Sequence, residues 1–144
     1  MVDRAAVGDR STLQTVALLF GIVFLLVGVL GFIPGITSEA PGEFAGEDSE
    51  AELLGIFQVS ILHNLVHLLF GIAGLALART WDGARNFLIW GGVVYLLLWV
   101  IGLVGLGDWI PANSADHWLH FVLGVAMVGS GYLLSRDVPA RAAT

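Results

Sequence analysis

The sequence predicts an all-α membrane protein, a bundle of four transmembrane helices built as two parallel hairpin repeats with both termini in the cytoplasm. Three observations carry this: the composition, four long apolar runs, and the placement of every arginine. Of 144 residues 57 % are hydrophobic and only 12 % charged, about half the roughly 25 % charge of a soluble domain. The mean hydropathy is +0.86. Apolar runs of this kind match the ~20 residues that a helix needs to cross about 30 Å of hydrocarbon.

The spans read as Leu13 to Ile33, Leu53 to Ala78, Phe87 to Val104 and His117 to Leu134, within a single membrane domain of residues 1–144. The first follows Arg4 and Arg10 in the manner of a signal peptide, but it is longer than a signal h-region, and Pro41 spoils the nearest cleavage site. A retained helix is expected. The six arginines, Arg4, Arg10, Arg79, Arg85, Arg136 and Arg141, all fall on one side of this arrangement, and the chain has no lysine. Short arginine-bearing loops stay in the cytoplasm, so the Arg79 to Arg85 connection and both termini are expected inside a bacterial cytoplasmic membrane.

The opposite side carries Glu39, Glu43, Glu47, Asp48, Glu50, Glu52, Asp108 and Asp116, eight of the twelve acids. The net charge of −6 is thus a sum of opposite faces, and nucleic-acid binding is disfavoured because no basic patch is present to neutralise phosphates. The absence of cysteine excludes disulfides, thiolate metal sites and iron-sulfur clusters.

The chain also resembles itself. Gly21 to Gly31 aligns without gaps on Gly92 to Gly102, with six of eleven positions identical, and Val66 to Ala73 aligns on Leu119 to Ala126. Phe32-Ile33-Pro34-Gly35 resembles Trp109-Ile110-Pro111-Ala112 in the same order along each half. An internal repeat of about 13–78 and 87–134 is expected, related by a pseudo-twofold axis along the membrane normal.

Span two carries Ser60, His63, Asn64, His67, Gly71, Gly74 and Ala78 at helical spacing, and span four carries Asp116, His120, Gly124, Met127 and Gly131. Lipid penalises polar side chains, so both stripes should face the bundle interior, with glycine allowing close backbone approach. The repeat sets His67 against His120 and His63 against Asp116. His63 and His67 lie one above the other on a helix face, as do Asp116 and His120. Imidazole donors with a carboxylate suit zinc or another transition metal, and two facing histidines suit haem iron. The metal candidates are therefore His63, His67, Asp116 and His120, with Ser60 and Asn64 as further polar positions of the stripe. The same side chains also serve as interhelical hydrogen-bonding glue. The zincin pattern is absent because Asn64 follows His63. No catalytic motif is found.

Trp81, Trp90, Trp109 and Trp118 fall near span ends, where interfacial belts place them. Asn113, Ser114 and Asp116 read as an N-cap region for span four.

Leu54-Gly55-x-Phe57-x-Val59, His63-Asn64-x-x-His67-x-x-x-Gly71, Gly91-Gly92-x-x-Tyr95 and Asn113-x-x-Asp116-x-x-x-His120-x-x-x-Gly124, together with Phe32 to Gly35, resemble a family of small bacterial membrane proteins. That family is known only as a domain of unknown function with four predicted helices. The resemblance runs from about Leu13 to Leu134 and implies a bacterial inner-membrane location. It supplies no catalytic role, and the family pattern commonly has Asn where this chain has His117.

Two functions follow from these residues. The first is a small helical scaffold or assembly protein, partnered by the lipid bilayer and by itself or another membrane protein. The alternative is a protein that binds a transition metal or haem through its intramembrane histidines.

Overall fold

The computed structural model describes residues 10–46, 48–105 and 112–136. The Trp109-Ile110-Pro111 motif, Arg4, Arg141, Glu47 and Asp108 lie outside the described residues. Among the described residues the secondary structure is helical apart from one short hairpin: α1 Thr12–Leu30, β1 Glu52–Leu53, β2 Phe57–Gln58, α2 Ile61–Leu77, α3 Trp81–Leu103 and α4 Ser114–Leu133. Two helices, α1 and α3, are long and apolar enough to cross a membrane.

Each helix starts where a polar side chain can take up a free backbone N–H. Ser11 and Gln14 form a capping box for α1, Ser60 accepts from the His63 N–H, Thr80 from the Gly83 N–H, and Asn113 with Asp116 forms a second capping box for α4. Gln14 also donates from Nε2 to the carbonyls of Ala78 and Arg79 at 3.2 and 3.0 Å, tying the start of α1 to the end of α2.

Two boundaries differ from the hydropathy reading. The second span does not begin at Leu53: residues 52–58 form the antiparallel hairpin, in which Leu54 and Gly55 turn the chain at φ 56° and 66°. The helix then begins behind the Ser60 cap. An apolar run records only its preference for burial, and here Leu53 and Val59 bury against Val27 and Leu30 of α1. The third helix begins at Trp81 rather than Phe87. The polar Asp82, Arg85 and Asn86 lower the hydropathy there without weakening the helix that Thr80 caps.

Helix α1 packs along α2, and α3 along α4. The two contacts match position for position in the register of the proposed repeat. Gly21 lies against Gly71 and Leu75, and Gly92 against Gly124 and Val128. Gly71 faces Leu25 and Gly124 faces Leu96; Gly31 abuts Asn64 and Gly102 abuts His117. Between the pairs, Phe24 of α1 and Tyr95 of α3 stack at 5.2 Å with their rings 9° from parallel. Around them Leu13, Ala17, Phe87, Leu88 and Met127 complete the buried core. Every helix turns large apolar residues outward, among them Leu26 on α1, Leu69 on α2, Leu97 on α3 and Val122 on α4.

Candidate metal centre

Helix α2 places His63 and His67 one turn apart, with ring centroids 4.3 Å from each other. Both donors come into register because the Ser60 cap starts the helix three residues before His63. Asn64, on the adjoining inward position, is fully buried against Gly31. Helix α4 brings His120 to the same place. His67 rests edge-on to Phe24 at 5.7 Å and His120 edge-on to Tyr95 at 5.3 Å, so the stacked Phe24–Tyr95 pair forms a floor between them.

One ligand atom from each of His63, His67 and His120 lies within 4.8 Å of the others. Nitrogens bound at 2.0–2.1 Å to a tetrahedral ion stand about 3.4 Å apart, so the donors would close by at most about 1.4 Å on binding one. His67 and His120 are 6 % and 4 % exposed, and the buried Nδ1 atoms of His63 and His67 find no hydrogen-bond partner among the described residues. Buried polar atoms are nearly always paired, because each unpaired one costs on the order of 1–3 kcal/mol. Asn64 Nδ2 and Oδ1, Trp81 Nε1 and His117 Nδ1 are unpartnered among the described residues as well, so the convergence of the three imidazoles is what marks this place as suited to an ion.

The structure brings together three of the four expected ligands. Asp116 is outside the group: its Oδ2 accepts from the backbone N–H of Gln58 at 2.9 Å and of Asn113 at 3.1 Å. Asn113 in turn donates from Nδ2 to the Ile56 carbonyl at 2.7 Å. The carboxylate therefore caps α4 and pins the hairpin across the end of the bundle. Ser60 is a helix cap rather than a side chain of the cluster. His117, one turn before His120 on α4, sits against Gly102 of α3 and is not among the three converging donors; its Nδ1 is buried and unpartnered among the described residues.

A cavity of about 220 Å³ adjoins the three histidines. Its walls are Val23, Leu26, Val27 and Leu30 of α1, Leu119 and Leu123 of α4, and Leu53, Leu54 and Phe57 of the hairpin, with Asp116 as the one further polar lining residue. Sequence reasoning reached the histidines but missed this roof. Its signal was Gly55, which breaks the apolar run, followed by Ser60 three residues ahead of His63.

Three donors within 4.8 Å of one another differ from the two imidazoles on opposite faces that bis-histidine haem ligation uses. The geometry suits a single ion with three protein ligands and a fourth position facing the cavity, the arrangement of open rather than closed zinc sites.

Residues 14–133 match the family described as Domain of unknown function (DUF4383), and the chain belongs to that family. No curated protein and no solved structure matches it.

Proposed function

Starting from that membership and this geometry, we propose that the protein is a four-span bacterial inner-membrane protein that binds one transition-metal ion of the zinc type through His63, His67 and His120. The observation that carries the reading is the convergence of three ligand atoms within 4.8 Å, with two of the imidazoles holding buried, unpartnered Nδ1 atoms.

The membrane reading has its own support. Apolar residues face outward on all four helices, as lipid requires and water does not favour. Arg79 and Arg85 sit at the end of the bundle opposite the hairpin, the side assigned to the cytoplasm by the positive-inside rule. The metal centre then lies toward the outer surface. The matching contacts of the two helix pairs, and a ring stack between equivalent positions, support descent of the halves from one duplicated hairpin.

Metal analysis of protein purified in mild detergent and loaded with zinc tests the assignment. About one ion per chain is expected, and cobalt(II) in its place gives tetrahedral ligand-field bands. His67→Ala and His120→Ala each weaken binding beyond the 10–100-fold cost typical of residues that only support a ligand, whereas His117→Ala leaves it unchanged. Wild-type protein that takes up no stoichiometric zinc, copper, nickel or iron, or His67→Ala protein that retains full affinity, refutes the assignment.

A further inference from the structure

The cavity beside the histidines has an uneven enclosure. The hairpin residues Leu53 and Phe57 roof it on the side of the acidic loop, where Asp116 and Asn113 hold the hairpin to α4. Its flank is different. Helix α1 packs along α2 and α3 but barely touches α4. The α1 residues on that flank, Val23 and Leu26, both line the cavity and stand 46 % and 52 % exposed on the outer surface. The apolar lining is therefore exposed along the flank between α1 and α4, where the four-span reading puts lipid, and also at Leu54 of the hairpin turn, which is 63 % exposed.

Resting on the metal assignment above, we propose that this cavity receives the carboxylate end of a long-chain fatty acid from the bilayer, with the carboxylate oxygen on the fourth position of the ion and the chain leaving between α1 and α4. Size selects a single chain: about 220 Å³ is below the roughly 300–1,000 Å³ of pockets that enclose a whole drug-sized ligand. It holds a head and the first part of one chain, and the remainder must lie outside against Val23 and Leu26. Charge selects the head. Three neutral imidazoles leave a dication with its full charge, and Asp116, the only acid among the described lining residues, is held by the backbone N–H groups of Gln58 and Asn113. Unbalanced charge in an apolar site is costly. A fatty carboxylate brought to the ion offsets that charge where it arises. A cationic amine makes the imbalance worse, and an alcohol leaves it in place.

The test uses the full chain, zinc-loaded, in phosphatidylcholine nanodiscs with palmitate labelled by ¹³C at the carboxyl carbon. A bound carboxyl resonance distinct from that of bilayer-dissolved palmitate is expected at about one per chain. Leu26→Trp and Val23→Trp, which narrow the flank without touching the histidines, should each lower palmitate affinity at least tenfold at unchanged zinc content. Removal of zinc should abolish the bound signal. A zinc-loaded protein with no bound resonance overturns the inference, as does affinity unchanged in both tryptophan variants, or acetate competing as well as laurate. Absence of zinc from the wild type is the separate failure that removes the metal assignment itself.

Discussion

Gly92→Ala probes both the packing of the bundle and the position of its site. A Cβ at Gly92 would stand 2.8 Å from the Gly124 carbonyl oxygen and 2.8 Å from the Val128 backbone nitrogen, whereas ordinary contact begins at 3.4 Å. Val128 Cγ2 is as near, but the two backbone neighbours cannot be relieved by side-chain rotation, so α3 and α4 must separate by about 0.6 Å. Overpacking of this kind costs about 1–3 kcal/mol, offset by up to about 1 kcal/mol from the better helix propensity of alanine. The net expected loss is about 0.5–2 kcal/mol. Gly129→Ala supplies the control, since a Cβ there meets nothing within 4 Å and only the propensity gain remains. Gly124 is one turn from His120, so the same separation should also loosen the third metal donor and weaken zinc binding. Unfolding by titration with dodecyl sulfate, followed by circular dichroism, measures the stability difference. If Gly92→Ala proves as stable as Gly129→Ala, the close approach of α3 to α4 is refuted. Gly21→Ala should behave like Gly92→Ala, because its Cβ would meet the Leu75 nitrogen at 2.9 Å and the Gly74 carbonyl carbon at 3.0 Å.

Asn113→Ala removes the side chain that caps the N–H groups of Ala115 and Asp116 and the bond to the Ile56 carbonyl. A loss of about 1 kcal/mol is expected, with faster amide hydrogen exchange across residues 52–58; exchange unchanged from wild type would show that the hairpin is held by apolar contact alone. Since the chain has no cysteine, single replacements report topology directly. Glu39→Cys in intact cells should react with an impermeant maleimide and Asp82→Cys should not, and the reverse pattern would invert the orientation.

The four helices and their inward stripes are legible in the sequence because packing into the core imposes the same simple rule on each helix. Gly, His and Asn share the faces that α2 and α4 bury. The hairpin is hidden by the same rule: Leu53, Leu54, Ile56 and Phe57 are as apolar as a helix start. Only the left-handed turn at Leu54 and Gly55 and the Ser60 cap separate it from α2. Asp116 shows a different limit. Its spacing from His120 is that of a ligand pair, yet its spacing from Asn113 is that of a capping box, and local backbone N–H groups win the carboxylate. Helix spacing says which face a residue shares. It does not say which of two partners on that face is closer.

On the readings that the halves are repeats and that the histidines hold an ion, the metal cluster is an asymmetric addition to a symmetric frame. Phe24 and Tyr95 occupy equivalent positions and stack on each other, which places a twofold axis between their rings. His67 and His120 flank that stack as equivalents, each edge-on to the ring of its own half. Two symmetric imidazoles hold an ion poorly, since two further positions stay with water. The third donor, His63, comes from the first half alone, and its counterpart in the second half is Asp116, which serves the α4 cap. The connections diverge in the same sense: residues 31–60 join α1 to α2 and fold the hairpin, against the ten residues 104–113 between α3 and α4. Divergence at these two places supplies what a duplicated hairpin lacks, a third ligand and a roof. Both act at the same end of the bundle, where the hairpin closes over the histidines that His63 completes.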